Sequence, residues 1–336
     1  MVRNIDPNYI ALTLLLPKIG RKTAFKIFNN LNFNISSYTE LYDHLEECRG
    51  TLKIPEVHNY DFEKAINQLE EIIIKNDKES IKMISFYDSG FPQRFLNEKD
   101  SPILLHCKGN DALLNHDFNI GVIGTREPLD KAYKLGINAS TFFAEKGFNI
   151  VSGLAIGCDT SGHTGALQVN GPTTAILAHG LHTIYPKENI DLAENILDSN
   201  GLLFSEYIVG TSALPNYFVE RDRLQTYLSD CICIVQTDIK GGTMHAVKVA
   251  QETGKKIAVI YPDLEDFINH PKSRGNELII NNMGGFPILN KDSLEQLYTS
   301  IVNKESENKI SQVTSSGDNG IVKINKSNNQ IDIPFY

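Results

Sequence analysis

The sequence predicts an α/β protein: an extended Rossmann-like, mostly parallel sheet with helices on both faces, and a small all-α domain ahead of it. Three observations carry this reading. From about Ile81 onward, short β-rich runs alternate with amphipathic stretches and glycine-bearing turns. Several of those runs are continuously apolar, as strands are when both faces of a parallel sheet are covered. Before Ile81 the apolar residues recur at helical spacing.

Taken in order, the run Tyr9 to Leu16 is apolar and ends at Pro17. After the turn Lys18-Ile19-Gly20, the spacing of Ala24, Ile27, Phe28 and Leu31 predicts a second helix. Over 61–74, Phe62, Ala65, Ile66, Leu69, Ile72 and Ile73 form one stripe, with Glu63, Lys64, Glu70 and Glu71 opposite. Strands are expected at 82–86, 102–106, 118–123, 148–151, 173–178, 202–204, 230–235 and 256–260. Helices are expected between them at 130–146, 160–168, 190–199 and 243–253. Beyond 303 the Lys, Ser, Asn and Gly content leaves too little apolar surface to offset ordering entropy. Three segments follow: a helical domain over 1–80, a Rossmann-like core over 81–302 and a flexible tail over 303–336, ending in the more apolar Ile331-Asp332-Ile333-Pro334-Phe335-Tyr336.

A chain of 336 residues with 41% hydrophobic content can bury a sizeable core. It has no apolar run near the roughly 18 residues of a membrane span and no signal-like start, so a cytoplasmic protein without a membrane partner is expected. Five cysteines, an odd number, argue against a disulfide framework. Cys231 and Cys233 alternate with apolar neighbours and read as a buried strand, so no metal is assigned. With a net charge of −9, any nucleic-acid site must be a local cluster of cations.

Five constellations could carry chemistry. Gly121-Val122-Ile123-Gly124-Thr125-Arg126 ends a strand ahead of a helix: Gly124 permits close approach, Thr125 offers a hydroxyl and Arg126 a phosphate fork. The same residues also fit a tight turn with a solvated arginine. Ser152-Gly153-Leu154-Ala155-Ile156-Gly157-Cys158-Asp159-Thr160 follows the next strand, with Asp159 or Thr160 set to cap a helix that contains His163. In Phe218-Val219-Glu220-Arg221-Asp222-Arg223 the two arginines cannot share a helical face, so one could meet a ligand while the other pairs with a carboxylate. In Lys240-Gly241-Gly242-Thr243 consecutive glycines suggest the φ > 0 conformations of an anion nest, with Thr243 as N-cap. Arg274-Gly275-Asn276 reads as a further rim loop. On a parallel sheet these loops open on one edge, and a phosphate-bearing ligand fits them. No Walker lysine, nucleophile elbow or His-x-Glu with CxxC is present, so no catalytic set and no cofactor are assigned.

The order of these motifs resembles the DNA-processing protein A family (DprA, also called Smf). Gly124-Thr125-Arg126 is similar to its G-S-R, and Ser152 through His163 to its S-G-L-A-x-G-x-D…H. Gly180, Leu181, Tyr185, Pro186 and Asn189 match its G-L-x-x-x-Y-P-x-x-N. Ser205-Glu206-Tyr207 with Phe218 to Arg223 resembles its S-E-Y…F-x-x-R-N-R, and Gly275-Asn276-Glu277-Leu278-Ile279 its G-x-N-x-L-I. Leu16 through Ala24 resembles a helix-hairpin-helix turn. The resemblance implies a non-enzymatic, dimeric binder of single-stranded DNA that hands the strand to a RecA-type recombinase in DNA uptake or recombination. Arg126, Lys187, Arg221 and Arg223 would then contact phosphates. The sequence departs from the pattern at Asp222, where the family usually has Asn, at Ile156, often basic, at Gly241-Gly242-Thr243, and at Lys18, where the turn has glycine. No winged-helix pattern follows residue 300.

The alternatives are a phosphoribohydrolase-like nucleotide enzyme and a nucleotide-binding sensor, in mobile-element defence for example. The enzyme's P-G-G-x-G-T motif precedes a catalytic Glu, whereas Met244, His245 and Ala246 follow here.

Overall fold

A computed structural model describes residues 5–316. Four helices come first: α1 (Pro7–Leu15), α2 (Arg21–Asn29), α3 (Tyr38–Leu52) and α4 (Asn59–Lys78). Asp6 caps α1 through Asn8 N, and Ser37 caps α3 through Glu40 N. Lys18, where the resembled turn has glycine, adopts the left-handed conformation that glycine favours, with φ of 63°. The stripe foreseen over 61–74 lies within α4, whose Phe62, Ala65, Leu69 and Ile72 are buried.

The remainder builds one nine-stranded sheet. In chain order it contains β1 (Lys82–Ser85), β2 (Leu104–Gly109), β3 (Asn119–Ile123), α5 (Asp130–Glu145), β4 (Asn149–Ser152) and α6 (Cys158–Leu167). Next come β5 (Thr173–Ile176), α7 (Ile190–Asp198), β6 (Leu202–Ser205), α8 (Pro215–Leu228), β7 (Cys231–Ile234) and α9 (Thr243–Thr253). The chain then forms β8 (Lys256–Ile260), α10 (Glu265–Ile268), α11 (Arg274–Asn282), β9 (Phe286–Ile288) and α12 (Lys291–Ser316). The strand order is β1-β2-β6-β5-β4-β3-β7-β8-β9. From β6 to β9 all pairings are parallel, while β2 runs antiparallel to both β1 and β6.

Both faces of the sheet are covered, as the unbroken apolar runs require. Cys231, Cys233 and Val235 pack with Phe143, Phe148 and the α12 stripe Leu294, Leu297 and Ile301 on one face. Ile232 and Ile234 pack with Ala246, Val247 and Ala250 of α9 on the other. The cysteines are therefore core residues, all of them buried and free. Strand β9, of three residues with a proline inside, is too short to announce itself in the pattern. Helix α12 runs to Ser316, past the expected boundary at 303, because its docked apolar stripe nucleates a helix that polar helix formers then extend. The expectation for the rest of the tail lies outside the described residues. Among the described residues no helix is long and apolar enough to cross a membrane.

The strand order reverses between β3 and β7: β3 to β6 step one way, and β7 to β9 step back on the other side of β3. Such a switch point leaves a crevice at the carboxyl ends of the strands, because the two following connections leave in opposite directions.

Candidate nucleic-acid interface

Three adjoining cavities of about 370, 670 and 350 Å³ open at this crevice, and Arg126 and Phe218 stand on the walls of all three. The first also takes in Thr125, Asp159, Arg221, Asp222, Asp238 and Gly241 to Thr243. The second is lined by His179, His182, Tyr185 and Lys187, the third by Gly153, Ile156, Tyr185 and Lys187.

Arg126 is the third residue after β3 and is exposed. Its guanidinium lies 5.0 Å over the Phe218 ring. No carboxylate among the described residues is within ion-pair distance of it. Phe218 in turn sits 5.7 Å from Tyr185, ring centre to ring centre, and Tyr185 is about half exposed. Lys187 begins a single turn after Pro186 and is also exposed. An unpaired guanidinium beside two accessible rings can grip an anion and stack a planar group together.

Behind this front lies a buried charged layer. The Arg221 side chain is only 4% exposed. It donates to the Ile176 carbonyl at 2.9 Å and lies 3.3 Å from Asp222 and 4.0 Å from Asp159. Asp159 does not cap its helix; Gly157, with φ of 82°, occupies that position. The Asp159 carboxylate turns back instead and accepts from Gly153 N and Ala155 N at 3.1 and 3.3 Å. Burial raises the Asp159 carboxyl above its usual range, against the pull of Arg221 and those two N–H donors. Gln225 closes the layer: with its amide turned so that both ends find partners, its oxygen accepts from Gly153 N at 2.7 Å and its nitrogen donates to Asp222 at 3.3 Å. His163 is buried, bonded to the Thr173 hydroxyl at 2.7 Å, and pushed by burial down to about 3, so it is a neutral packing group.

The structure gathers only part of the expected set at the cavities. Gly124, Thr125, Arg126, Gly153, Lys187, Phe218, Arg221, Gly241, Gly242 and Thr243 line them. Ser152 does not: its hydroxyl is buried and donates to Val122 O at 2.6 Å, tying β4 to β3. Arg223 turns to the other side of α8 and forms a two-pronged ion pair with Glu206 at 2.6 and 2.7 Å. The two arginines thus lie on different sides of α8, as their spacing requires, and both meet carboxylates. Gly241 and Gly242 take no positive φ, and Gly242 is right-handed, so the turn is not a left-handed nest. Gly241 is small because a Cβ there would come within 2.7 Å of the Thr237 hydroxyl. Thr243 is the first residue of α9, with Gly242 at the cap. Lys240 is exposed on the same turn, its N–H bound to Asp238 at 2.7 Å.

Arg274-Gly275-Asn276 is no rim loop but the start of α11. Arg274 is exposed, yet it lines none of the three cavities. Asn276 is fully buried and accepts from Thr237 N while donating to Val235 O and Ile260 O. Gly275 is pressed against the Thr237 and Asp238 carbonyls, which a Cβ would meet at 2.5–2.6 Å. Both hold the loop after β7 in place. Sequence reasoning passed over Asp222 and Gln225 as wall residues and Tyr185 as the partner of Phe218. The Y-P match at Tyr185-Pro186 was the signal for the last.

Fold and site define a Rossmann-like protein whose cavities open at the switch point of its sheet around an unpaired arginine. The chain belongs to the family of DNA recombination-mediator protein A, whose model matches residues 82–298. It is 28% identical over 218 residues to the DNA processing protein DprA of Bacillus subtilis, covering 65% of this chain and 73% of the relative. It is 32% identical over 190 residues to the protein Smf of Escherichia coli, a match spanning 56% of this chain and half of that one. The solved structure of DNA processing protein A from Helicobacter pylori, which concerns that protein's single-stranded-DNA binding mode, is similar with TM-score 0.58 and 28% identity over 66% of this chain and 96% of that one. The Streptococcus pneumoniae DprA structure shares the fold with TM-score 0.69 over 86% of this chain and 97% of that one, at 24% identity.

Proposed function

We propose that this protein binds single-stranded DNA without catalysing a reaction on it, holding a backbone phosphate at Arg126 and resting unstacked bases on Phe218 and Tyr185. The observation that carries the reading is Arg126 itself: exposed, free of any ion pair among the described residues, stacked on Phe218, and shared by three cavities at the switch point. Lys187 extends the cationic edge, and Lys240 and Arg274 offer outlying charges for a longer strand. The relative from Helicobacter pylori supports the same ligand class. Loading of a RecA-type recombinase and action as a homodimer in the cytoplasm go with this reading through the family resemblance.

Fluorescence anisotropy tests it. A labelled oligothymidylate should bind more tightly than duplex DNA or a mononucleotide, with log K falling by about 0.7 per phosphate neutralised as log salt rises. Binding that ignores salt, or a mononucleotide that binds as well as the oligomer, overturns it. So does steady product release from DNA or nucleotides that is lost with Arg126→Ala.

A further inference from the structure

Asp222 lies on the wall of the first cavity, beside the groups assigned to the phosphate. Its carboxyl and that of Asp159 flank a single buried guanidinium, Arg221, at 3.3 and 4.0 Å. With all carboxylates ionised, Asp159, Asp222 and Asp238 outnumber Arg221 and Arg126, and the cavity carries one net negative charge that opposes a phosphate. One proton on the Asp159–Asp222 pair removes it. The two carboxyls differ in who holds them. Asp159 accepts two backbone N–H bonds, which favour its ionised form. Asp222 is met by the Gln225 amide and the Arg221 side chain, without a backbone donor among the hydrogen bonds of this wall. Burial pushes its carboxyl up to about 7, Asp159 adding to the rise while Arg221 and Arg126 oppose it.

We propose that Asp222 sets which anion this cavity accepts: a phosphodiester, which has no proton to give, enters when the Asp222 carboxyl is neutral and is turned away when it is ionised, so that binding the DNA backbone is linked to binding one proton. This rests on the reading that the phosphate sits at Arg126. In the neutral form the carboxyl O–H can donate to a non-bridging phosphate oxygen. In the ionised form two acceptors and two negative charges would face each other. Of the other charged groups, Asp238 lines the cavity on the loop after β7, Lys240 is exposed on that loop, and the buried His163 feels the charge of Arg221. Lys187, Glu188, His179 and His182 line the neighbouring cavities. Asp222→Asn alters none of these residues.

The test is oligothymidylate affinity from about pH 6 to about pH 8.5 for the wild type, Asp222→Asn and Arg126→Ala. Linkage to one proton makes wild-type affinity fall about tenfold per pH unit above about 7, whereas Asp222→Asn should hold near the wild type's low-pH affinity throughout. Should Asp222→Asn keep the wild-type pH dependence, or the wild type show none, the proposal is overturned while Arg126-dependent binding leaves the DNA reading standing. Binding indifferent to Arg126→Ala, or absent at every pH, overturns both. If Asp222→Asn does not fold, calorimetry on the wild type near pH 8 in buffers of different ionisation enthalpy decides: about one proton taken up per site supports the linkage, and none overturns it.

Discussion

At Gly153 a Cβ would lie 1.3 Å from Nη1 of Arg221, a clash no small adjustment relieves. The guanidinium cannot swing away, being sealed between two carboxylates and bonded to Ile176 O. Gly153→Ala should therefore cost on the order of 2–4 kcal/mol in urea unfolding, by overpacking and by stranding a buried charge. A loss below about 1 kcal/mol would mean that Arg221 has another place to go. In the sequence, Ser152-Gly153 and Arg221 read as two separate ligand groups. Gly153 and Arg221 are two sides of one contact, and residues so far apart in the chain show no mark of it. The place of Arg126 on the cavity walls was legible because a strand-end arginine near a glycine needs only local context. The buried carboxylates were not, since Asp159 looks like a cap and Asp222 like a surface charge until burial is known.

Among the elements, α8 and α11 show where periodicity fails. Helix α8 buries Arg221, Arg223, Gln225 and Thr226 as well as Leu224 and Leu228, so polar and apolar residues share its inner face and no clean stripe appears. Strand β7 was legible for the opposite reason, being apolar on both faces. The start of α11 was mistaken for a loop because Arg-Gly-Asn has turn composition, whereas Asn276 faces inward to satisfy the ends of β7 and β8. Asn276→Ala leaves one N–H and two carbonyls buried without that partner. It should destabilise the protein by roughly 3 kcal/mol or more, at about 1–3 kcal/mol per unsatisfied group. Hydrogen exchange at Thr237 N should quicken with it. An Ala variant with unchanged urea midpoint and unchanged Thr237 protection would show the clamp to be dispensable.

Across the whole molecule, the helical domain and the sheet are joined by ion pairs as well as by apolar contact. Arg21 reaches Asp100 and Glu206 at 3.4 Å, Arg223 grips Glu206 from the other side, and Lys22 pairs with Asp100 at 3.3 Å. Arg21 and Lys22 of the hairpin-like turn are thus already engaged by carboxylates. Arg126→Ala should weaken oligonucleotide binding by about 1.5–3 kcal/mol, around tenfold or more. Lys22→Ala, at an exposed and already paired site, should cost under about 1 kcal/mol. The reverse order in anisotropy, with both variants folded by circular dichroism, would move the DNA site to the helical domain. The passage from helices to strands was legible from the change of period near Ile81, which falls between α4 and β1. The seam was not, because it depends on which distant residues meet. Ile103 and Leu104, at the entry to β2, are buried in one cluster with Leu12, Phe28 and Leu69, while Met83, Phe86, Tyr87 and Ile208 pack against it. Ile72 of α4 is likewise buried with Leu154 and Ala175 beneath the sheet. This seam bears on how the gene can be rearranged. A helical module transplanted at residue 80 would arrive without the residues that close one side of its interior, Ile103 and Leu104 among them, so a viable chimera must exchange the segment around β1 and β2 along with it, or redesign both sides together.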